Sequence, residues 1–154
     1  MKHNLEKLKA HILPLSQSDR FCVARTEWDL VGVEITDDFD HCPCGQAIKE
    51  HCYITNRITS ESTYVGNVCI NRFLGISTGN LFDGLKRISK DSYANANLDV
   101  IRHGLELGFI YESEYDFLVR TRLSRNLSPK QLEWKRKINL RITQQIAVRR
   151  RTRT

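Results

Sequence analysis

The sequence predicts an α+β fold: a β-hairpin and short helix carrying clustered cysteines, embedded in a mainly helical domain. Three observations predict it. Four of the five cysteines fall between His41 and Phe73. Apolar and polar residues alternate at strand spacing through and just before that stretch. On both sides, apolar residues recur at helical spacing. The 154 residues, 40% hydrophobic, suit one domain or a small domain with an appendage. No apolar run approaches the ~20 residues needed to span a bilayer. The start, MKHNLEKLKAHILPL, lacks the long apolar core of a secretory signal. A cytoplasmic location is therefore expected, where clustered thiols more often hold metal than form disulfides.

Each element follows from local pattern. NLEKLKAHIL sets Leu5, Leu8 and Ile12 on one helical face, with Asn4 as N-cap and Pro14 as the stop. SDRFCVARTEWDL predicts a second short helix burying Phe21, Ala24 and Trp28. VGVEIT alternates at Val31, Val33 and Ile35 and reads as a half-buried strand, followed by an acidic loop, TDDFD. AIKEHCYIT and STYVGN form a hairpin joined by NRITSE, and VCINRFL a short helix ending near Gly75. NLFDGLKRISK starts at an Asn80 cap, and NLDVIRHGLEL closes at Gly108. ESEYDFLVRTRL opens on Ser113 with Asp116 three residues on. In LSPKQLEWKRKINLRITQQI, Ser128 caps, Pro129 takes the first helical position and Gln131 completes a capping box. Trp134, Ile138, Ile142 and Ile146 then follow at spacing four, with Leu132 widening the stripe. The expected organisation is 1–36 N-terminal helices and strand, 37–76 cysteine module, 77–148 helical part and 149–154 basic tail.

The cysteines carry the chemistry. Thiolates are soft, charged ligands, and four of them satisfy a tetrahedral zinc ion. CPCG is a tight turn that aims Cys42 and Cys44 at one point, with Gly45 allowing the close path. Cys69 sits at a helix start, where the helix dipole favours negative charge. Knuckle, hairpin, then helix-borne ligand is the order of a treble-clef-like zinc finger. Cys52 is the preferred fourth ligand, with His41 and His51 as alternatives. A redox pair would need better spacing than Cys-x-Cys. No His-Glu-x-x-His pattern, nucleophile pair or phosphate-cradling glycine loop is present, so no catalytic activity is expected.

Charge is segregated. Residues 120–154 hold 12 Lys/Arg and one acid, Glu133, whereas residues 1–119 hold 12 Lys/Arg and 17 Asp/Glu. Lys130, Lys137 and Arg141 share one flank of the last helix, and Arg149, Arg150, Arg151 and Arg153 form an arm expected to be mobile. Such a distribution suits a polyanion or an acidic protein surface. Tyr64, Phe73 and Trp134 are read as core aromatics before base-stacking ones.

CPCGQAIKEHCYITN followed by VGNVCINRF resembles a family of small zinc-finger proteins encoded by bacteriophages and prophages. Trp28, Cys42, Cys44, Gly45, Asn56, Gly66, Cys69, Ile70 and Phe73 match its pattern. LSPKQLEWKRKI is similar to a C-terminal helix seen in phage proteins with such fingers. The resemblance covers residues 25–75 well and 105–142 loosely. It implies zinc and a bacterial host cytoplasm, and no particular activity. Two functions are expected from the charge pattern taken with that origin: binding of nucleic acid, DNA or RNA, by the basic helix and arm, or host takeover or anti-defence by binding a bacterial protein complex.

Overall fold

A computed structural model of the chain describes residues 2–150. It divides into two compact units, residues 1–78 and 79–154. The described residues form a mixed α+β structure with a three-stranded antiparallel sheet and seven α-helices. Among them, no helix is long and apolar enough to cross a membrane.

The first unit begins with α1, Lys2–Ile12, whose Leu8 and Ile12 are fully buried, and a single 3-10 turn at Leu13–Leu15 holds Pro14. The second helix is shorter than its apolar stripe suggests. α2 covers only Phe21–Ala24, a 3-10 turn follows at Arg25–Glu27, and Trp28 opens a strand. Its ring is buried, and its Nε1–H donates to Ser16 Oγ at 3.1 Å.

β1, Trp28–His41, is the largest departure from expectation. The acidic stretch is not a loop but the far half of this strand. β1 pairs with β2, Ala47–Asn56, and β2 with β3, Ser62–Gly66, in the order β1-β2-β3. The β1–β2 register shifts between Ile35 and Asp40, so the intervening residues bulge out of the ladder. A bulge on an exposed strand keeps Asp37 and Asp38 in water. β1 also runs through the expected 36/37 boundary, so the first helices and the cysteine region are one unit.

Asn56 explains its place in the hairpin motif. Its Oδ1 accepts from the backbone N–H of Ile58 and Thr59, closing the turn, and its Nδ2 donates to buried Glu27. Glu27 also accepts from the N–H of Gln17 and Ser18. α3, Asn67–Arg72, follows β3 directly.

The second unit holds α4 (Leu81–Lys90), α5 (Leu98–Glu106), α6 (Glu112–Thr121) and α7 (Pro129–Thr143). Gly84 lets α4 and α5 meet closely: a Cβ there would lie 2.5 Å from Val100 Cγ2 and from Asn97 Nδ2. Asn97 caps α5 through Val100 N–H, whereas the Asn80 side chain makes no cap bond. Gly108, at φ +81°, ends the α5 turn as expected. α6 starts at Tyr111 rather than Ser113: Glu114 reaches back to the Tyr111 N–H at 3.0 Å, and Ser113 lies inside the helix.

α7 has the predicted Ser128–Gln131 capping box, with both reciprocal bonds formed. Its buried face is rotated from the expected stripe. Ile138 and Ile142 are buried with Lys135 and Asn139, while Trp134 is 38% and Ile146 49% exposed. Trp134 still stacks on Phe117 at 4.2 Å and donates to Glu114.

Candidate metal centre

The knuckle is built by its own backbone. Cys42 N–H donates to Gln46 O at 2.9 Å, and Gly45 N–H donates to Cys42 O at 2.8 Å. Gly45 takes φ +96°, a conformation costly for other residues. The turn turns both sulfurs inward, leaving Cys42 and Cys44 buried at 2% exposure each. Cys69 enters from the first turns of α3, also buried.

The three sulfurs lie within 4.8 Å of one another, and Cys42 Sγ and Cys69 Sγ are 3.7 Å apart. Tetrahedral coordination at about 2.3 Å per Zn–S bond sets neighbouring sulfurs about 3.8 Å apart. The observed spacing therefore fits a bound ion of that size. Backbone donors complete the environment: Gly66 N–H reaches Cys42 Sγ at 3.3 Å and Gln46 N–H reaches Cys44 Sγ at 3.4 Å. Such bonds favour the thiolate form that binds metal.

The thiols are not electrostatically equal. Cys42 is held below the usual thiol range, chiefly by the hydrogen bond with Cys69, against burial, with help from Cys44 and Gly66. Cys69 is pushed up by that same hydrogen bond, by burial and by the charge of Cys42. One thiolate thus suppresses ionisation of its neighbour. A cation reverses this, because each added thiolate then meets positive charge.

Gly66 makes the approach possible. A Cβ there would lie 2.8 Å from Ile48 Cγ2 and 3.6 Å from Cys42 Cβ. The Val-Gly pair ahead of Cys69 thus lets β3 pass tightly over the knuckle.

The remaining expected ligands lie outside the three-sulfur group. Cys52 is fully buried in mid-β2, paired across to Val33 and Val65. Burial, then the charges of Glu50 and Cys42, push its thiol up to about 12. His41 is exposed at the end of β1. His51 is buried, with Nε2 3.2 Å from Asp40 Oδ2 and its ring 5.0 Å from that of Tyr64. The fifth cysteine, Cys22, is exposed.

The expected cationic surface is only partly available. Lys130 and Lys137 are exposed on α7. Arg141 is not: its guanidinium is 2.6 Å from Glu114 Oε2, with side chains 17% and 8% exposed, and it lies over the Tyr111 ring. Arg149 is also tied down, which corrects the expected start of the mobile arm. Its Nε donates to Ile110 O at 2.7 Å, while Val148 N–H donates to Gly108 O at 2.7 Å. Both acceptors, Gly108 O and Ile110 O, lie in the connection that follows α5. Arg150 is exposed, and Arg151 and Arg153 lie outside the described residues.

Sequence reasoning missed Lys135 and Asn139. The signal was there, since positions 135, 138, 139 and 142 recur at three and four residues, the spacing of a buried face. Their polarity masked it. Compared with known proteins, the chain matches no family model, no curated protein and no solved structure.

Proposed function

We propose that this chain is a treble-clef-like zinc-finger protein that binds nucleic acid through its basic C-terminal part, a phage-type role in keeping with the motif resemblance. The observation that carries the binding is the charge segregation, 12 Lys/Arg against one acid in residues 120–154. The zinc supplies folding free energy and rigidity rather than chemistry. Cys42, Cys44 and Cys69 would hold it. Cys52, buried on β2 and outside the group of three sulfurs, would move toward it to complete the set. Soft sulfur donors in a tetrahedral arrangement favour zinc over harder cations.

Lys130 and Lys137 on α7 and the arginines from Arg150 onward would neutralise phosphates. Contacts of this kind are independent of sequence and weaken steeply with salt. The test is binding of a random-sequence oligonucleotide across a salt series. The full chain should bind at low salt. A chain ending at Arg149, which loses Arg150, Arg151 and Arg153, should show lower affinity and a shallower salt slope with zinc content retained. Absence of binding at low salt would refute this reading and leave the protein-partner role.

A further inference from the structure

The second unit carries a groove of about 490 Å³ that the charge pattern of α7 does not reveal. Arg87 and Lys90 from the end of α4, Tyr93 and Asn95 from the following loop, and Arg125 from the α6–α7 connection line it. All three cations are exposed, and Tyr93 is 48% exposed. Among the described residues none of the three is drawn into an ion pair. The one acid in the lining, Asp91, accepts the Tyr93 N–H at 3.0 Å.

The groove is held open from beneath. Asn139, fully buried on α7, donates to Ser92 O at 2.8 Å and to Ala94 O at 2.9 Å, fixing the loop that bears Tyr93. Lys135, also buried, donates to Asn95 Oδ1 and to Thr121 O. Asn95 Nδ2 in turn donates to Ser124 O at 3.3 Å, joining the two walls. Two polar side chains that contribute nothing to an apolar core thus fix the walls of a cationic groove. A fixed groove loses less freedom on binding than a mobile arm does.

We propose that this groove binds a segment of single-stranded nucleic acid, with Arg87, Lys90 and Arg125 meeting phosphates and Tyr93 stacking on a base. This rests on the nucleic-acid reading above and names its site. Three cations around one exposed ring match a strand that offers phosphate and base face together. A duplex keeps its base faces stacked inside and offers Tyr93 nothing. The volume falls in the range of small-ligand sites and so admits a short stretch of strand, not a helix.

The experiment measures fluorescence anisotropy of a labelled random-sequence single strand, and of the matching duplex, across a salt series. The proteins are the full chain, the triple variant Arg87→Ala/Lys90→Ala/Arg125→Ala, Tyr93→Ala, Tyr93→Phe, and Lys130→Ala/Lys137→Ala. Thermal melts verify folding. Loss of three phosphate contacts should reduce the salt slope by about 2 for a single strand. Tyr93→Ala should weaken binding about tenfold at fixed salt with the slope unchanged, while Tyr93→Phe binds like the full chain. If the full chain binds but the triple variant keeps its affinity and slope, or Tyr93→Ala binds normally, the groove assignment is wrong and the broader function stands. Tighter binding to duplex than to single strand also overturns the assignment. If the full chain binds neither nucleic acid at low salt, both the groove and the function fail.

Discussion

Replacing Gly66 by alanine should weaken the metal centre without changing a ligand. The new Cβ would lie 2.8 Å from Ile48 Cγ2 and 3.6 Å from Cys42 Cβ. Carbon atoms pack comfortably at about 3.5–4.0 Å, so Ile48 or the β3 backbone must shift by about 0.7 Å or more. Ile48 is β-branched and stiff at χ1, so its methyl cannot simply swing away. Metal–ligand distances in a well-formed site lie within about 0.2 Å of their ideal values. A shift of β3 also moves the Gly66 N–H that reaches Cys42 Sγ. Overpacking of this kind costs about 1–3 kcal/mol. Where folding and metal binding are coupled, that strain appears in the apparent zinc affinity, a loss of roughly 5- to 150-fold. Competition against a chromophoric zinc chelator measures it. The double variant Gly66→Ala/Ile48→Ala removes the clashing methyl and should recover much of the loss. Wild-type zinc affinity in Gly66→Ala, with an unchanged melting temperature, would show that the Gly66–Ile48 contact does not constrain the site.

Other perturbations follow from the same geometry. Cys42→Ser and Cys69→Ser should each lose bound zinc, and the first unit should lose cooperative melting, because structural zinc contributes about 10 kcal/mol or more. Glu114→Ala should lower the stability of the second unit by about 2–3 kcal/mol, measured by urea denaturation. It strands the nearly buried Arg141 guanidinium and the Trp134 N–H. His103 is 6% exposed, and burial lowers its pKa from 6.5 to about 4. The unfolded chain binds the proton first, so the favourable contribution is full above pH 6.5 and is lost as pH falls toward 4. Between pH 7 and 4, His103→Leu should lose about 3 kcal/mol less stability than wild type, and equal losses would contradict this assignment.

The sequence made the cysteine module legible because its constraints are local. The Cys42–Gly45 turn, the hairpin and the Gly66–Cys69 entry into α3 are each set by residues within a few positions. The same holds for the α7 capping box at Ser128 and Gln131. What the sequence hid depends on partners distant in the chain. The acidic half of β1 reads as a loop because charges disfavour strands, yet Asp40 pairs opposite Ile48 on β2. Arg141 looks available until Glu114, 27 residues earlier, claims it. Arg149 looks like the start of a free arm until the Ile110 carbonyl captures it. Cys52 is close to the other cysteines in sequence, yet its surroundings are set by strand pairing, between Val33 on β1 and Val65 on β3. The groove was invisible for the same reason, since its cations come from separate segments and its supports, Lys135 and Asn139, look like surface residues.

The proposed zinc ion would be held by the buried sulfurs of Cys42, Cys44 and Cys69, with those of Cys42 and Cys69 3.7 Å apart. The most direct test is elemental analysis of the protein purified without chelator or added metal, alongside its Cys69→Ser variant. One zinc per chain is expected in the wild-type protein, with loss of that zinc in the variant. A wild-type protein that melts cooperatively with no stoichiometric metal would contradict it.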